Sequence, residues 1–127
     1  MTEPLVARPA GRPHRGLLLL ESRVVLEFAA CLAAYPILRQ APVGDGHPVL
    51  VLPGFLASDF STQALRRFLA ARGYAAHGWR LGTNVGPSPE VAASMVDLLG
   101  TLRQRYGRRV SLIGWSLGGI YARELAR

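Results

Sequence analysis

The chain has 127 residues, half of them apolar, which is enough for one small globular domain with a buried core. Its net charge of +7 comes from fifteen arginines spread along the sequence, with no lysine and no single basic block. This distribution argues against a nucleic-acid-binding arm. The lack of lysine also excludes a P-loop nucleotide site, because the residue that reaches the phosphates is missing.

Cysteine and histidine are scarce in the sequence. Cys31 is the only cysteine, so the chain can form neither an internal disulfide nor a cysteine-based metal cluster. Its apolar helical surroundings predict a buried, inert thiol. His14, His47 and His77 are too scattered for a metal-ligand spacing. We therefore expect no metal, no cofactor and a cytoplasmic location.

The N-terminal part of the chain predicts a tail followed by one helix. Residues 1–15 are rich in proline and arginine and predict a flexible tail. Residues 16–40 predict a helix with a broad apolar face, interrupted by Glu21, Arg23 and Glu27. These charges argue against a signal peptide and a membrane span, which stay the alternatives. We favour a helix that packs on the domain or lies at a membrane surface as a peripheral contact.

Residues 41–48 predict a turn-rich connector, and residues 49–127 predict the folded domain. The apolar run Val49–Leu52 is typical of a strand that is covered on both faces of a parallel sheet. Further helices and strands alternate after it: a helix capped by Ser61 or Thr62 that ends near Arg72, a strand over 74–81, a helix capped by Ser88 that ends at Gly107, a strand over 109–113, and a helix that begins at Leu117. The alternation predicts an α/β fold, a three-layer sandwich around a parallel sheet with right-handed crossovers.

The most informative stretch is a G-x-S-x-G sequence between the third strand and the last helix. Ser116 is surrounded by three glycines, Gly114, Gly118 and Gly119. They predict a turn too sharp to hold side chains at their positions, and such a turn would lift the serine above the sheet. Leu117 then opens the helix, so its N–H and the helix dipole could stabilise an anion beside the serine. The alternative is that Ser116 is only the N-cap of the helix.

This stretch resembles the nucleophile elbow of the α/β-hydrolase superfamily. The sequence Pro53-Gly54-Phe55 follows the first strand, where that family carries a short glycine motif. The resemblance implies that the N–H of Phe55 pairs with that of Leu117 to form an oxyanion hole. Pro53 stands where many members have histidine, but only the backbone donor is needed. A plain Pro-Gly turn is the alternative.

The resemblance covers residues 48–127 and is strongest to bacterial lipase-like and esterase-like members. It is carried by Leu52–Leu56, Gly78–Gly82 and Gly114–Gly119. It implies that the substrate is a small-molecule or lipid ester, hydrolysed through an acyl-serine intermediate on Ser116.

A serine nucleophile needs a base and an acid, and in this family both follow the serine along the chain. Only eleven residues follow Ser116, and none is histidine. Asp59 is the only acid expected near the site, and a cap or turn role fits it better. We interpret the sequence as the N-terminal half of a hydrolase, truncated just after the elbow, inactive alone, with about three core strands and an exposed sheet edge.

Two other functions stay open on the sequence. A non-catalytic fragment or interaction module could keep the half-fold and pair its open edge with another chain. Another acyl chemistry, such as thioester cleavage or acyl transfer, is also compatible with the fold.

Overall fold

The computed structural model describes the backbone of residues 16–127 and the side chains of residues 26, 27 and 29–127. The predicted tail over 1–15 lies outside the described residues. The elements in chain order are α1 (Gly16–Leu38), β1 (Pro48–Leu52), α2 (Gln63–Ala71), β2 (Ala75–Gly78), α3 (Pro89–Tyr106), β3 (Ser111–Gly114) and α4 (Leu117–Leu125). The elements from β1 to α4 form a small open α/β fold with one parallel sheet.

The sheet has three parallel strands in the order β2-β1-β3. All residues of β1 are buried, as its unbroken apolar sequence predicts for a central strand. The chain steps from β1 outward to β2, then crosses back over β1 to β3. Between β1 and β3 the direction of winding therefore reverses, and such a reversal opens a crevice at the carboxyl ends of the strands.

The core lies on the sheet face that carries Leu50 and Leu52. Trp79, Met95, Leu102 and Tyr121 join these two leucines in one buried cluster, so α3 and α4 pack on this face. Helix α2 contributes no residue to the cluster and contacts β2 instead. Full burial of large apolar side chains in this cluster contributes about 1.5–3 kcal/mol for each.

Helix α3 begins and ends where its sequence predicts. Ser88 is the N-cap, and its hydroxyl oxygen accepts a hydrogen bond from the Val91 N–H at 3.2 Å. Gly107 ends the helix in the left-handed conformation with φ 60°. Helix α2 differs: Thr62 is its N-cap residue, but the hydroxyl donates to the Asp59 carbonyl instead of capping the helix.

Strand β2 is shorter than the sequence predicts. It was expected over 74–81 and ends at Gly78. The carboxylate of Asp59 accepts hydrogen bonds from the N–H groups of Trp79 at 2.9 Å and Arg80 at 3.0 Å, so these groups are not available to a neighbouring strand. Arg80 takes a left-handed conformation with φ 62°, which ends the extended backbone.

The chain divides into two compact units between Gln40 and Ala41. In the second unit, the turn-rich segment before β1 is bonded to the end of α2. The N–H of Gly44 donates to the Arg72 carbonyl at 2.5 Å and that of Gly46 to the Gly73 carbonyl at 2.9 Å. The Arg72 guanidinium also donates to the Ala41 carbonyl. These bonds fix the approach of the chain to β1.

In the first unit, α1 exposes apolar side chains, including Leu26, Leu32 and Ile37. The expectation that Cys31 is buried was wrong: its side chain is exposed, since the helix residues around it are exposed too. None of the helices among the described residues has the length and apolar character that crossing a membrane requires.

Candidate functional site

The turn between β3 and α4 holds Ser116 in an unusual backbone conformation. Its φ is 52° and its ψ is −118°, a combination that residues with a side chain adopt only when the surrounding structure enforces it. Ser116 is exposed, and although it is the N-cap residue of α4 its side chain makes no capping hydrogen bond. The simple N-cap interpretation therefore does not describe this serine, and its hydroxyl is accessible.

Two of the three predicted elbow glycines are sterically required. A Cβ on Gly114 would lie 2.1 Å from the Gly118 carbonyl oxygen, and a Cβ on Gly118 would lie 2.3 Å from the Leu52 carbonyl oxygen. Both distances are far below van der Waals contact and involve backbone atoms. A Cβ on Gly119 would meet its nearest neighbour, the Gly114 oxygen, at an ordinary 3.4 Å. The tight part of the turn is thus confined to Gly114–Gly118.

The loop after β1 lies directly against this turn. The N–H of Trp115 donates to the Leu52 carbonyl at 3.0 Å. A Cβ on Gly54 would lie 3.2 Å from the Trp115 ring and 3.4 Å from the Ser116 Cβ. Because β1 and β3 are adjacent and parallel, both loops leave the sheet at the carboxyl ends of these strands. Ser116 therefore lies at the carboxyl ends of β1 and β3, where the winding of the sheet reverses.

Two backbone N–H groups beside Ser116 lack acceptors. Neither the Phe55 nor the Leu117 N–H donates a hydrogen bond to any of the described residues. Their neighbours are bonded: Leu56 donates to the Asn84 carbonyl at 2.7 Å and Gly118 to the Trp115 carbonyl at 2.9 Å. Leu117 is also the first residue of α4, where the helix dipole favours negative charge. Both predicted donors are therefore available to a ligand.

A residue that the sequence analysis did not single out fixes the loop of Phe55. Asn84 is fully buried, and its side-chain amide N–H donates to the Pro53 carbonyl at 3.0 Å. Its side-chain oxygen accepts from Gly86 N–H at 3.2 Å and from the Tyr121 hydroxyl at 3.3 Å. Asn84 thus bonds the loop after β1 to α4. The only signal in the sequence was an asparagine in a Gly-rich loop, which is equally typical of an ordinary turn.

The surface around Ser116 is apolar. Trp115 is 75% exposed, and Phe55, Leu56 and Ile120 also present exposed side chains. A groove of about 380 Å³ runs between α3 and α4 and is lined by side chains that include Met95, Val91, Leu117 and Ile120. This lining is almost entirely apolar, so the surroundings favour an apolar ligand over a charged one.

The described residues bring no base to Ser116. His77 lies on β2, and its Nε2 is 3.0 Å from the hydroxyl of Tyr106 on α3. Burial lowers the pKa of His77 from its usual value, and the nearby charges of Arg80 and Arg105 lower it further. His47 directly precedes β1, at the amino end of the strand, whereas Ser116 lies at the carboxyl ends. The Asp59 carboxylate, for which a cap or turn role was expected, instead accepts hydrogen bonds from two backbone N–H groups at the end of β2.

The described residues also contain no cluster of three His, Cys, Asp or Glu side chains that could hold a metal ion. Comparison with protein-family models, with curated proteins and with solved structures found no match to this chain. What the site does is therefore inferred from its own geometry.

Proposed function

We propose that Ser116 is the nucleophile of a serine hydrolase that cleaves carboxylic esters, with the Phe55 and Leu117 N–H groups as its oxyanion hole. The observation that carries the proposal is the strained, exposed conformation of Ser116 between two N–H groups that have no acceptor among the described residues. Strain of this kind is typical of functional sites, where it aims a side chain at a substrate.

The reaction follows from the chemistry of these groups. The Ser116 hydroxyl attacks the ester carbonyl carbon as a base removes its proton, and the carbonyl oxygen becomes an anion that the two N–H groups stabilise. The alcohol leaves with a proton, and water releases the acid from acyl-Ser116. In the proposal, a histidine and a carboxylate from outside the described residues supply the proton transfers, because the described residues place neither at Ser116.

The family implied by the resemblance is the α/β-hydrolase superfamily, and a lipase-like or esterase-like member suits the site best. The parallel order β2-β1-β3 and the position of both loops at the winding reversal support this assignment. In a three-layer arrangement, α2 covers one face of the sheet and α3 and α4 cover the other. The apolar surface around Trp115 and Ile120 favours an ester with an apolar acyl group.

Acylation of the folded chain by 4-nitrophenyl butyrate tests the proposal. We expect slow formation of one butyryl group on Ser116, found by peptide mass spectrometry, and faster formation when imidazole is added as a substitute base. Ser116→Ala should abolish this adduct. The matched control is Ser61→Ala, which removes an exposed serine that donates to the Ser58 carbonyl and should change nothing at Ser116. A folded chain whose Ser116 stays unmodified even with imidazole contradicts the proposal.

A second candidate function is an interaction module, and the strand order favours it. Within the described residues β3 pairs only with β1, so its other edge presents unpaired backbone groups. Such an edge can accept a strand from a partner. Backbone amide hydrogen exchange of β3 distinguishes the cases: protection that rises with protein concentration supports edge pairing, and concentration-independent exchange opposes it.

A further inference from the structure

A second group of reactive side chains lies at the amino ends of β1 and β3, opposite the end that carries Ser116. The Nδ1 of His47 is 2.5 Å from a carboxylate oxygen of Asp45, and its Nε2 is 2.9 Å from the Ser111 hydroxyl oxygen. A carboxylate can only accept, so Nδ1 carries a proton, and when the ring is neutral Nε2 accepts from the Ser111 hydroxyl. This is the hydrogen-bond order in which a histidine takes a proton from a serine.

The carboxylate that orients the histidine is itself held in place. Arg108 donates to the second carboxylate oxygen of Asp45 at 2.6 Å and to its backbone carbonyl at 2.8 Å. The His47 backbone N–H donates to Asp45 as well, at 3.1 Å. These hydrogen bonds hold the pKa of the Asp45 carboxyl far below its usual range, and the bond from the His47 ring has the largest effect. Asp45 therefore stays ionised. On its other side the His47 ring meets the Tyr74 ring edge-on, with 5.1 Å between centroids.

This group is separate from the elbow. Ser111 pairs with Val49 at the amino ends of β3 and β1, whereas Gly114 pairs with Leu52 at their carboxyl ends. The two serines therefore lie at opposite ends of the strands, and a reagent approaches each of them from a different side of the molecule.

A small open cavity of about 260 Å³ lies over the group. Its lining consists of Asp45, His47, Ser111, Arg108 and Arg109. Arg109 makes no ion pair or hydrogen bond with the described residues, so its guanidinium is available to an anionic oxygen. The volume admits a short acyl group next to the serine.

We propose that Ser111 is a second nucleophilic serine, activated by His47 and Asp45, that reacts with small activated carboxylic esters. The Ser111 oxygen bonds to the carbonyl carbon while its proton passes to His47 Nε2, and Arg109 faces the anionic oxygen that forms. The C–O bond to the alcohol then breaks, and His47 returns the proton to the departing alcohol. Water attacks acyl-Ser111 by the same proton transfers and releases the carboxylic acid.

A purely structural role makes a different prediction. If the three side chains only fasten the segment before β1 to β3, Ser111 reacts no faster than any exposed serine. General base catalysis instead raises the rate by about 100-fold or more. Reactivity at Ser111 that depends on His47 therefore separates the two roles.

The test is labelling of the full chain with a small fluorophosphonate, followed by peptide mass spectrometry of each serine. Reaction at Ser111 forms an O–P bond, expels fluoride and transfers the hydroxyl proton to His47. We expect Ser111 to be labelled at least tenfold faster than Ser61, an exposed serine with no histidine partner, and to stay so in Ser116→Ala. His47→Gln, which keeps a polar side chain, should reduce labelling of Ser111 to the rate of Ser61.

Far-UV circular dichroism confirms that each variant is folded. Labelling of Ser111 at the rate of Ser61, or at a rate that His47→Gln leaves unchanged, overturns the proposal. Because each label is assigned to its own peptide, an adduct at Ser116 alone overturns this inference and leaves the function proposed for Ser116 standing. An adduct at Ser111 alone supports this inference, and the function proposed for Ser116 is then decided by its own acylation in the presence of imidazole.

Discussion

Gly114 and Gly118 are the positions where the turn around Ser116 leaves no room for a side chain. Each would place a Cβ within 2.3 Å of a backbone oxygen, while Gly119 has an ordinary contact distance. We predict that Gly114→Ala and Gly118→Ala each lower the free energy of unfolding by about 1–3 kcal/mol or more, because the backbone must move.

Gly119→Ala is the matched control, since it adds the same methyl group in the same turn. Its expected effect is neutral or stabilising by up to about 1 kcal/mol, because alanine favours the helix. Urea denaturation measures all three variants. Equal losses at 114, 118 and 119 would show that the turn is not packed as described.

Asp45 predicts an acid-sensitive contribution to stability. Its pKa is lowered in the folded state by the His47 and Arg108 hydrogen bonds, so the ionised form stabilises the fold. This stabilisation is present above the pKa of the unfolded chain, about 3.9, and is lost as the pH falls below it. Asp45→Asn should therefore lower the Tm at pH 7 and flatten its decline between pH 5 and pH 3. A variant whose Tm falls in parallel with that of the parent chain would contradict this assignment.

Among the elements, the loop after β1 is held in position by hydrogen bonds to Asn84. Asn84→Ala leaves the Pro53 carbonyl, the Gly86 N–H and the Tyr121 hydroxyl without their partner. Buried groups that lose a partner cost about 1–3 kcal/mol. We predict a loss of stability of this order and slower acylation of Ser116, because the loop of Phe55 is no longer fixed.

Tyr121→Phe is the control for this prediction. It removes one of the Asn84 bonds and keeps both the ring in the core and the bond from Asn84 to Pro53. Its effect on acylation of Ser116 should be clearly smaller than that of Asn84→Ala. Equal effects would mean that α4, and not the loop after β1, controls the site.

Local sequence was enough to predict the order of the helices and strands and the tight turn at Ser116, but not the contacts that join them. Ser88 and Gly107 bound α3 through signals within a few residues. The bonds from Asn84 to Pro53 and from His47 to Ser111 span 31 and 64 positions. Pairings of this length depend on strand order and register, which no single residue pattern specifies. The early end of β2 has the same origin, because Asp59 lies far from it in sequence.

At the scale of the whole molecule, the described residues form a sheet with two open edges. The strands β2 and β3 each pair only with β1, and an uncovered edge promotes association. We predict that the chain self-associates at high micromolar concentration. Light scattering after size-exclusion chromatography measures this, and a monomer with cooperative thermal unfolding at that concentration would contradict it.

In the function that we propose, the two loops at the carboxyl ends of β1 and β3 form an oxyanion hole around Ser116. A crystal structure of the chain phosphonylated on Ser116 tests it most directly. We predict a phosphonyl oxygen about 2.7–3.1 Å from the backbone nitrogens of both Phe55 and Leu117. A phosphonyl oxygen that faces solvent, or that meets neither N–H group, would contradict it.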